Sequence, residues 1–468
     1  MRLAASLGAC LALGAAWLRV VCAGSAMGDR LLVLVPTAEA AGGYSELLGS
    51  LAERGFDVSV RAASNSSVAL HVDGRRQYDH AVLLAPAAKR LGAALTAHSF
   101  VRFVDDGGNL VVVGSSDMSD QSRKLAAQFG VVFEKHGSRV VDHSHHLVTD
   151  GTGDHAVVAA SRLAAVPAVL SPQLLEAPGT VYFRGIGHRY DPSNPLLTPA
   201  LTGAPTTYSD LSGDEVLSGR QLGLVSVFQT RRNARVAFSG SADLFSDAFM
   251  RTTQSRNRQL VHDITQWTFQ EKAVLREVAR RHYLAATGMQ PEHYRVSNDM
   301  VYEIDLSVYY DDAWRPYEAD DVQFEAIMLD PYIRTTLNRT RSSGPAATYR
   351  GDIRLPDRYG TFTFRVNYKR TGLANVDVKD TVAIWPLRHD EYPRFLSAAY
   401  PYYTGSFVMM VGFLALCAAW LWSAEPSKPV TQAKPATQVK PATQAKPATQ
   451  AKPATQAKHT AKSKPKSS

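Results

Sequence analysis

The chain has 468 residues, with 51 Lys and Arg against 43 Asp and Glu, for a formal net charge of +8. From Glu425 to the end there are nine lysines and a single acidic residue, so the tail alone carries +8 and the remainder is close to neutral. The overall basicity therefore gives no support to nucleic-acid binding by the folded part, and the length suits two or three domains.

The first segment opens with Met1-Arg2, runs apolar from Leu3 to Leu18 and closes at Arg19. It is shorter than the roughly 20 residues that cross a hydrocarbon core. Small residues follow at Ala23, Gly24, Ser25 and Ala26. This pattern reads as a cleaved secretory signal over residues 1–26, and cleavage after Ala23 or after Ala26 fits it. An uncleaved anchor is the alternative, against which Arg19 interrupts the run. Cys10 and Cys22 lie in this leader and Cys417 lies far downstream. A mature ectodomain cut here has no disulfide, cysteine nucleophile or zinc-thiolate site.

Residues 27–285 read as an α/β domain with a β extension. Leu31 to Val35 is a buried-strand run ended by Pro36. Tyr44 to Arg54 has helical spacing and stops at Gly55. Phe56 to Val60 alternates as a strand; Ala81 to Ala85 and Leu110 to Val113 are further apolar strands. Leu95 to Asp106 and Gln121 to Phe129 read as helices. Strands alternating with helices predict a parallel sheet covered on both faces. Strands at Gly223 to Phe228 and Arg235 to Ser239, with a helix at Leu260 to Lys272, complete it.

From residue 286 to 390 the pattern changes to short strands separated by Pro, Gly and Asp, as at Met300 to Tyr310, Val322 to Leu329, Tyr359 to Tyr368 and Thr381 to Trp385. This predicts an antiparallel β-sandwich. A juxtamembrane segment over 391–404 leads to Gly405–Trp422, which is free of charge. Tyr400, Tyr402 and Tyr403 before it, and Trp420 and Trp422 at its end, form aromatic belts of a spanning helix. The Lys-rich tail, 423–468, places that end in the cytoplasm by the positive-inside rule, giving type I topology. Its PATQAK repeat has nothing to fold around and is expected to be disordered. It reads as a solvated spacer, or as a weak contact for anionic lipid or a ribosome.

The search for chemistry yields weak candidates. Gly114-Ser115-Ser116 and Ser239-Gly240-Ser241 lack the second glycine of a nucleophile elbow. Ala85-Pro86-Ala87 follows a strand where an amidotransferase-like cysteine would sit, without a thiol. Gly185-Ile186-Gly187 lacks the third glycine of a dinucleotide loop. Asp142-His143-Ser144-His145-His146 is the best metal candidate, but adjacent and alternating positions cannot all converge from a strand, so it reads as a polar loop. Asp105-Asp106 before a Gly-Gly turn reads as a helix end. No catalytic, cofactor or metal residue is therefore assigned. Two sequons, at Asn65 and Asn338, are candidate glycosylation sites in polar stretches.

Several segments, in order, resemble one family: DDGGNLVVVGSS at 105–116, VDH at 141–143, FRGIG at 183–187, NARVAFSGS at 233–241 with FSD at 245–247, LDPYIRT at 329–335, LPD at 355–357, and PLRHDEY at 386–392 running on to AYPYY at 399–403. The chain is similar in these to the 48-kDa subunit of the oligosaccharyltransferase complex, the DDOST family. The resemblance covers nearly everything from residue 30 to 422. It departs at Gly43-Tyr44-Ser45, where the family has Thr-His-Ser, and in the long tail, which lacks a C-terminal dilysine signal.

The resemblance implies a non-catalytic structural subunit supporting transfer of a dolichol-linked oligosaccharide to Asn-X-Ser/Thr in the endoplasmic reticulum membrane. The active site would lie on a separate multi-pass subunit. Ribophorin-like and DAD-type subunits would be its other partners, and retention would depend on assembly. It implies a flavodoxin-like or amidotransferase-like ectodomain followed by β-domains. Arg388, His389, Tyr392, Tyr400, Tyr402 and Tyr403 are the expected partner surface, since Arg and aromatic residues favour interfaces. The competing reading is a membrane-tethered glycan-binding receptor or hydrolase that uses the α/β domain alone.

Overall fold

The computed structural model describes residues 24–149, 152–176, 179–210, 217–252, 255–310, 312–342, 344–392 and 396–423. Most of the expected leader and the tail repeat lie outside these residues. The chain divides at Asp390/Glu391 into two units.

In the first unit, the apolar runs become strands β1 (Arg30–Val35), β2 (Asp57–Ala62), β3 (His80–Leu83) and β4 (Asn109–Val113). The helices between and after them are α1 (Ser45–Glu53), α2 (Ala97–Asp105) and α3 (Asp120–Ala127). Further along come β5 (Leu197–Thr202), β6 (Gly223–Gln229), β7 (Arg235–Ser239) and α4 (Asn257–Thr268). Strands β2, β1, β3, β4 and β7 lie side by side in that order and are all parallel.

The two faces of β1 divide cleanly. Leu31, Val33 and Val35 pack with Leu47 and Leu51 of α1 and with Leu260 and Ile264 of α4. Leu32 and Leu34 pack with Phe100 and Phe103 of α2 and Leu125 of α3. Period-two alternation thus sends one strand's side chains into two separate cores.

The sheet is mixed, which corrects the expectation of a parallel one. Strand β6 runs antiparallel to β7, and β5 antiparallel to β6. The connection from β6 to β7 spans only Thr230–Ala234, closed by Thr230 N–H on the Ala234 carbonyl at 2.8 Å, with Asn233 at φ +70°. So short a link makes a hairpin and cannot make a parallel crossover.

Helix ends are satisfied in ways that anchor the layers. Thr96 and Ser99 form a reciprocal capping box on α2. Helix α1 lacks a local cap. Instead Asp247 accepts the backbone N–H of Ser45 at 3.1 Å and of Glu46 at 2.9 Å, from about 200 residues away. Its carboxylate also favours the positive end of the helix dipole.

Beside small two- and three-stranded sheets, the later part of the first unit is a pair of five-stranded sheets. One contains β8 (Val274–Leu284), β9 (Asp299–Tyr310) and β12 (Ala347–Arg354). The other contains β10 (Gln323–Ile327), β11 (Pro331–Thr336), β13 (Gly360–Tyr368) and β14 (Val376–Trp385). Alternate residues of β13, namely Phe362, Phe364, Val366 and Tyr368, point into a core shared with Tyr302 of β9 and Phe324 of β10. The Tyr302–Phe324 ring centroids are 4.7 Å apart and the Phe324–Phe364 centroids 5.4 Å.

Loop 372–375 ties this core to the first. The Trp267 indole N–H donates to the Gly372 carbonyl at 2.7 Å, and the Gln229 amide donates to the Leu373 carbonyl at 2.7 Å. Asn233 exchanges hydrogen bonds with the backbone of Asn375 at 2.6 and 2.9 Å.

The second unit contains helix α5 (Tyr400–Ser423), 24 residues long. At 1.5 Å per residue it measures about 36 Å, enough to cross a bilayer core. Its 18-residue window has mean hydropathy 1.9 and no buried residue. Tyr400, Tyr402 and Tyr403 lie within its first turn, since the helix begins five residues before Gly405.

Candidate assembly surface

Of the weak catalytic candidates, Ser239 and Ser241 use their hydroxyls in local hydrogen bonds. Ser239 is buried at the end of β7; its hydroxyl accepts the Ser241 N–H and donates to the Ser241 carbonyl. Ser241 accepts the Leu244 N–H at 3.1 Å and so caps the following turn. After β4, Gly114 N–H bonds the Ser239 carbonyl at 2.6 Å, and the Ser116 carbonyl accepts the Gly137 N–H at 2.8 Å. The Pro86 carbonyl accepts the Ser119 N–H at 2.8 Å. These are the turn bonds that follow neighbouring strands.

Gly185 owes its place to contact, not to a phosphate. A Cβ there would fall 2.1 Å from the Gly240 carbonyl oxygen. Ile186 N–H donates to that same carbonyl at 2.9 Å, so the two segments cross backbone on backbone.

The Asp-His-Ser-His-His stretch is a loop clamp. Asp142 is fully buried and accepts the N–H groups of Ser144 at 2.8 Å and His145 at 3.0 Å. It also accepts the hydroxyls of Thr206 at 2.8 Å and Thr207 at 2.7 Å. Burial pushes its pKa up, but the bonds from Thr207, His145, Thr206 and Ser144 outweigh that and hold it below the ordinary carboxylate value. His143 bonds Tyr208 at 2.9 Å and His145 bonds Thr206 at 3.2 Å, while His146 packs on the His155 ring. Among the described residues no group of three His, Cys, Asp or Glu side chains could hold a metal ion.

A cavity of about 890 Å³ opens between α1 and α4. Glu46 on its wall accepts from Arg251 and Arg258, and those ion pairs hold its pKa low. Leu47, Met250 and Val261 line it beside these salt-linked side chains.

Sequence reasoning missed a buried polar network beneath the sheet. Arg235 of β7 is fully buried and donates to the carbonyls of Trp267, Lys272 and Ala273 at 2.8, 2.8 and 2.7 Å. Burial alone pushes its pKa down to about 9, and its guanidinium lies 4.7 Å from the Trp267 ring. Asn109 accepts the Arg235 N–H at 2.9 Å and the Gln270 amide at 3.0 Å. The only sign in the sequence is a charged residue inside an apolar strand run.

The expected partner residues lie along the exit from the first unit and into the second. Arg388, His389 and Tyr392 are exposed just beyond β14, and Tyr400, Tyr402 and Tyr403 are exposed on α5. The first unit adds a patch that the sequence did not single out. Gly360 pairs with Ile384, so Tyr359 and Trp385 lie together at one end of the sheet. The β10–β11 hairpin ends there too, with Leu329 91% exposed at its tip. Tyr332, Tyr359 and Trp385 are also exposed, and Trp385 stacks on His293 at 4.2 Å. Large exposed apolar groups gathered in one place mark interaction surfaces. The sequons are exposed as well: Asn65 accepts the Ser67 N–H and hydroxyl at 2.9 and 2.8 Å, and Asn338 starts an edge strand.

The class defined by these features is a two-core protein with one helix long and apolar enough to cross a membrane and an exposed apolar patch at one end of its second core. The family model described as "OST48, N-terminal domain" matches residues 22–271, and "OST48 middle domain" matches residues 282–424. The chain belongs to the OST48 family.

A relative from Arabidopsis thaliana, named a dolichyl-diphosphooligosaccharide–protein glycosyltransferase 48 kDa subunit, is 33% identical over 84% of this chain and 92% of its own. The Schizosaccharomyces pombe subunit wbp1 of the same enzyme is 36% identical over 90% of this chain and 97% of its own. The Danio rerio 48 kDa subunit is 32% identical over 86% and 94%. Among solved structures, a ThuA-like protein from Parabacteroides merdae aligns over 52% of this chain and 89% of its own at 15% identity. Its TM-score is 0.29, too low to argue from.

Proposed function

We propose that this chain is a non-catalytic structural subunit of the oligosaccharyltransferase of the endoplasmic reticulum membrane, supporting transfer of a dolichol-linked glycan to Asn-X-Ser/Thr. The observation that carries it is the family match, which runs through both cores and on into α5. The naming of its relatives as subunits of a glycosyltransferase supports an accessory role.

In this reading the two-core body faces the lumen and the lysine-rich tail the cytoplasm, with one pass through α5. The partners are a catalytic multi-pass subunit and ribophorin-like and DAD-type subunits. No nucleic acid is bound, and the tail is available to a ribosome. The α/β domain is flavodoxin-like; the parallel order β2-β1-β3-β4-β7 supports this, since numbering those five strands along the chain gives 2-1-3-4-5. We place the boundary with the β-sandwich before β8, earlier than the 285/286 read from the sequence; the pairing of β8 with β9 supports this. In the first unit the partner surface combines Leu329, Tyr332, Tyr359 and Trp385 with Arg388 and His389. In the second unit Tyr392, Tyr400, Tyr402 and Tyr403 are the partner residues.

The test is affinity purification from membranes in mild detergent. The reading expects a multi-pass glycosyltransferase to co-purify with the chain. Recovery of the chain without one contradicts it.

A further inference from the structure

A cavity of about 560 Å³ lies where the two cores meet. Its walls come from residues 194–198 at the start of β5, from the end of β6 as far as Arg231, and from loop 369–375 between β13 and β14. Hydrogen bonds fix these segments to one another. The Gln229 N–H donates to the Leu196 carbonyl at 2.9 Å, and the Gln229 side-chain amide donates to the Leu373 carbonyl at 2.7 Å. Trp267, bonded to the Gly372 carbonyl, also lines the cavity.

The charge of this lining has one sign. Arg231, Lys369 and Arg370 contribute to it, and among the described residues no carboxylate does. Arg370 is compensated from outside the lining, where Asp321 accepts its Nε–H at 2.8 Å. Arg231 and Lys369 are exposed and have no acidic partner among the described residues. Neutral donors stand beside them. The side-chain nitrogens of Asn194 and Asn375 and the hydroxyls of Thr198 and Thr371 make no hydrogen bond among the described residues.

We propose that this cavity binds a small organic phosphate, held by Arg231 and Lys369 with the amides and hydroxyls around them. A cleft lined by cations alone concentrates anions. A phosphate monoester carries about two negative charges at pH 7 and offers three strong acceptor oxygens. Its charge matches the two uncompensated cations, Arg231 and Lys369, and its oxygens accept from the neutral donors. A carboxylate brings a single charge and leaves the other cation unmet. Val169, Leu196 and Val227 give the body of the ligand an apolar wall. The volume falls in the range of about 300–1,000 Å³ that small-molecule sites occupy. Residues 194–231 belong to the α/β core and 369–375 to the sandwich, so the ligand bridges the two and braces their joint. The inference holds whichever subunits the chain joins.

The test is calorimetric titration of the full chain, extracted from membranes in mild detergent, with phenyl phosphate at pH 7 and low ionic strength. Saturable binding is expected, and it is expected to weaken as salt is added. The Arg231→Gln, Lys369→Gln double variant loses two charge-assisted contacts and is expected to bind at least about tenfold more weakly. Both side chains are exposed, so the variant is expected to fold; its thermal midpoint without ligand checks this. Lys124→Gln, at an exposed lysine outside the cavity, is expected to leave the affinity unchanged. Heat no greater than that from sodium chloride at matched ionic strength overturns the proposal. Equal binding by the folded double variant also overturns it, since that marks an adventitious ion only.

Discussion

The Trp267 indole donates to the Gly372 carbonyl at 2.7 Å, and this bond joins the last helix of the α/β core to a loop of the β-sandwich. Trp267 is also packed under Arg235, so one side chain serves both as a wall of the first core and as a clasp on the second. Replacing it with Phe keeps most of the apolar bulk and leaves the carbonyl without its donor. We predict a loss of about 1–3 kcal/mol, read as a lower thermal midpoint of the intact chain in detergent. An unchanged midpoint contradicts the clasp.

Arg235 is the more severe case. Its guanidinium satisfies three main-chain carbonyls that have no access to water. Arg235→Met leaves them unpaired, and we predict a loss of about 3 kcal/mol or more. Arg235→Lys is predicted to rescue only part of this, because an ammonium lacks the planar fork that reaches three acceptors. Thermal unfolding of the two variants side by side checks the order.

Acid sensitivity follows from buried imidazoles. Burial lowers the pKa of His188 to about 3 and that of His80 to about 4. Both values lie below the unfolded one of about 6.5, so the unfolded chain binds more protons and stability falls as pH drops below about 6.5. Each histidine contributes about 1.4 kcal/mol per pH unit down to its folded pKa. Glu271 opposes them, since its folded pKa of about 7 lies above the unfolded value and its contribution is lost as pH rises through 7. Burial also lowers the pKa of His262 and His282, so the net fall is at least about 1.4 kcal/mol per unit between about pH 6.5 and 4.5. His188→Gln is predicted to flatten this limb in pH-dependent denaturant titrations; an unaltered slope counts against it.

The exposed end of the sandwich yields a different kind of variant. Leu329→Glu alters a side chain that faces outward, so stability is predicted to change by less than about 0.5 kcal/mol, while Trp385→Glu also loses the stack on His293 and costs more. Recovery of partner subunits from membranes is predicted to drop severalfold. Normal recovery with both changes present places the partner contact elsewhere.

Sequence legibility varied with burial. Leu31 to Val35 and Leu110 to Val113 announced their strands because both faces are covered. The helices over Tyr44–Arg54 and Leu95–Asp106 showed through their spacing and their glycine stops. Strand β11 and the strand Asn338–Ser342 did not, because they face solvent and carry no apolar alternation. The turn at Thr230–Ala234, which makes the sheet mixed, looked like any polar link. Long-range partners were hidden altogether: nothing near α1 signals that its cap is Asp247, and nothing around Arg235 names its three carbonyls. On the candidate surface, the residues near α5 were legible from the aromatic belt. The Tyr359–Trp385 patch was not, since it arises only when β13 and β14 pair.

The central claim is that the chain supports glycan transfer as a subunit, and glycosylation of a sequon-bearing reporter after depletion of the chain tests it most directly. The account predicts an underglycosylated reporter, restored by the unaltered chain and restored less well by the Leu329→Glu, Trp385→Glu double variant. A reporter that stays fully glycosylated without the chain contradicts the claim.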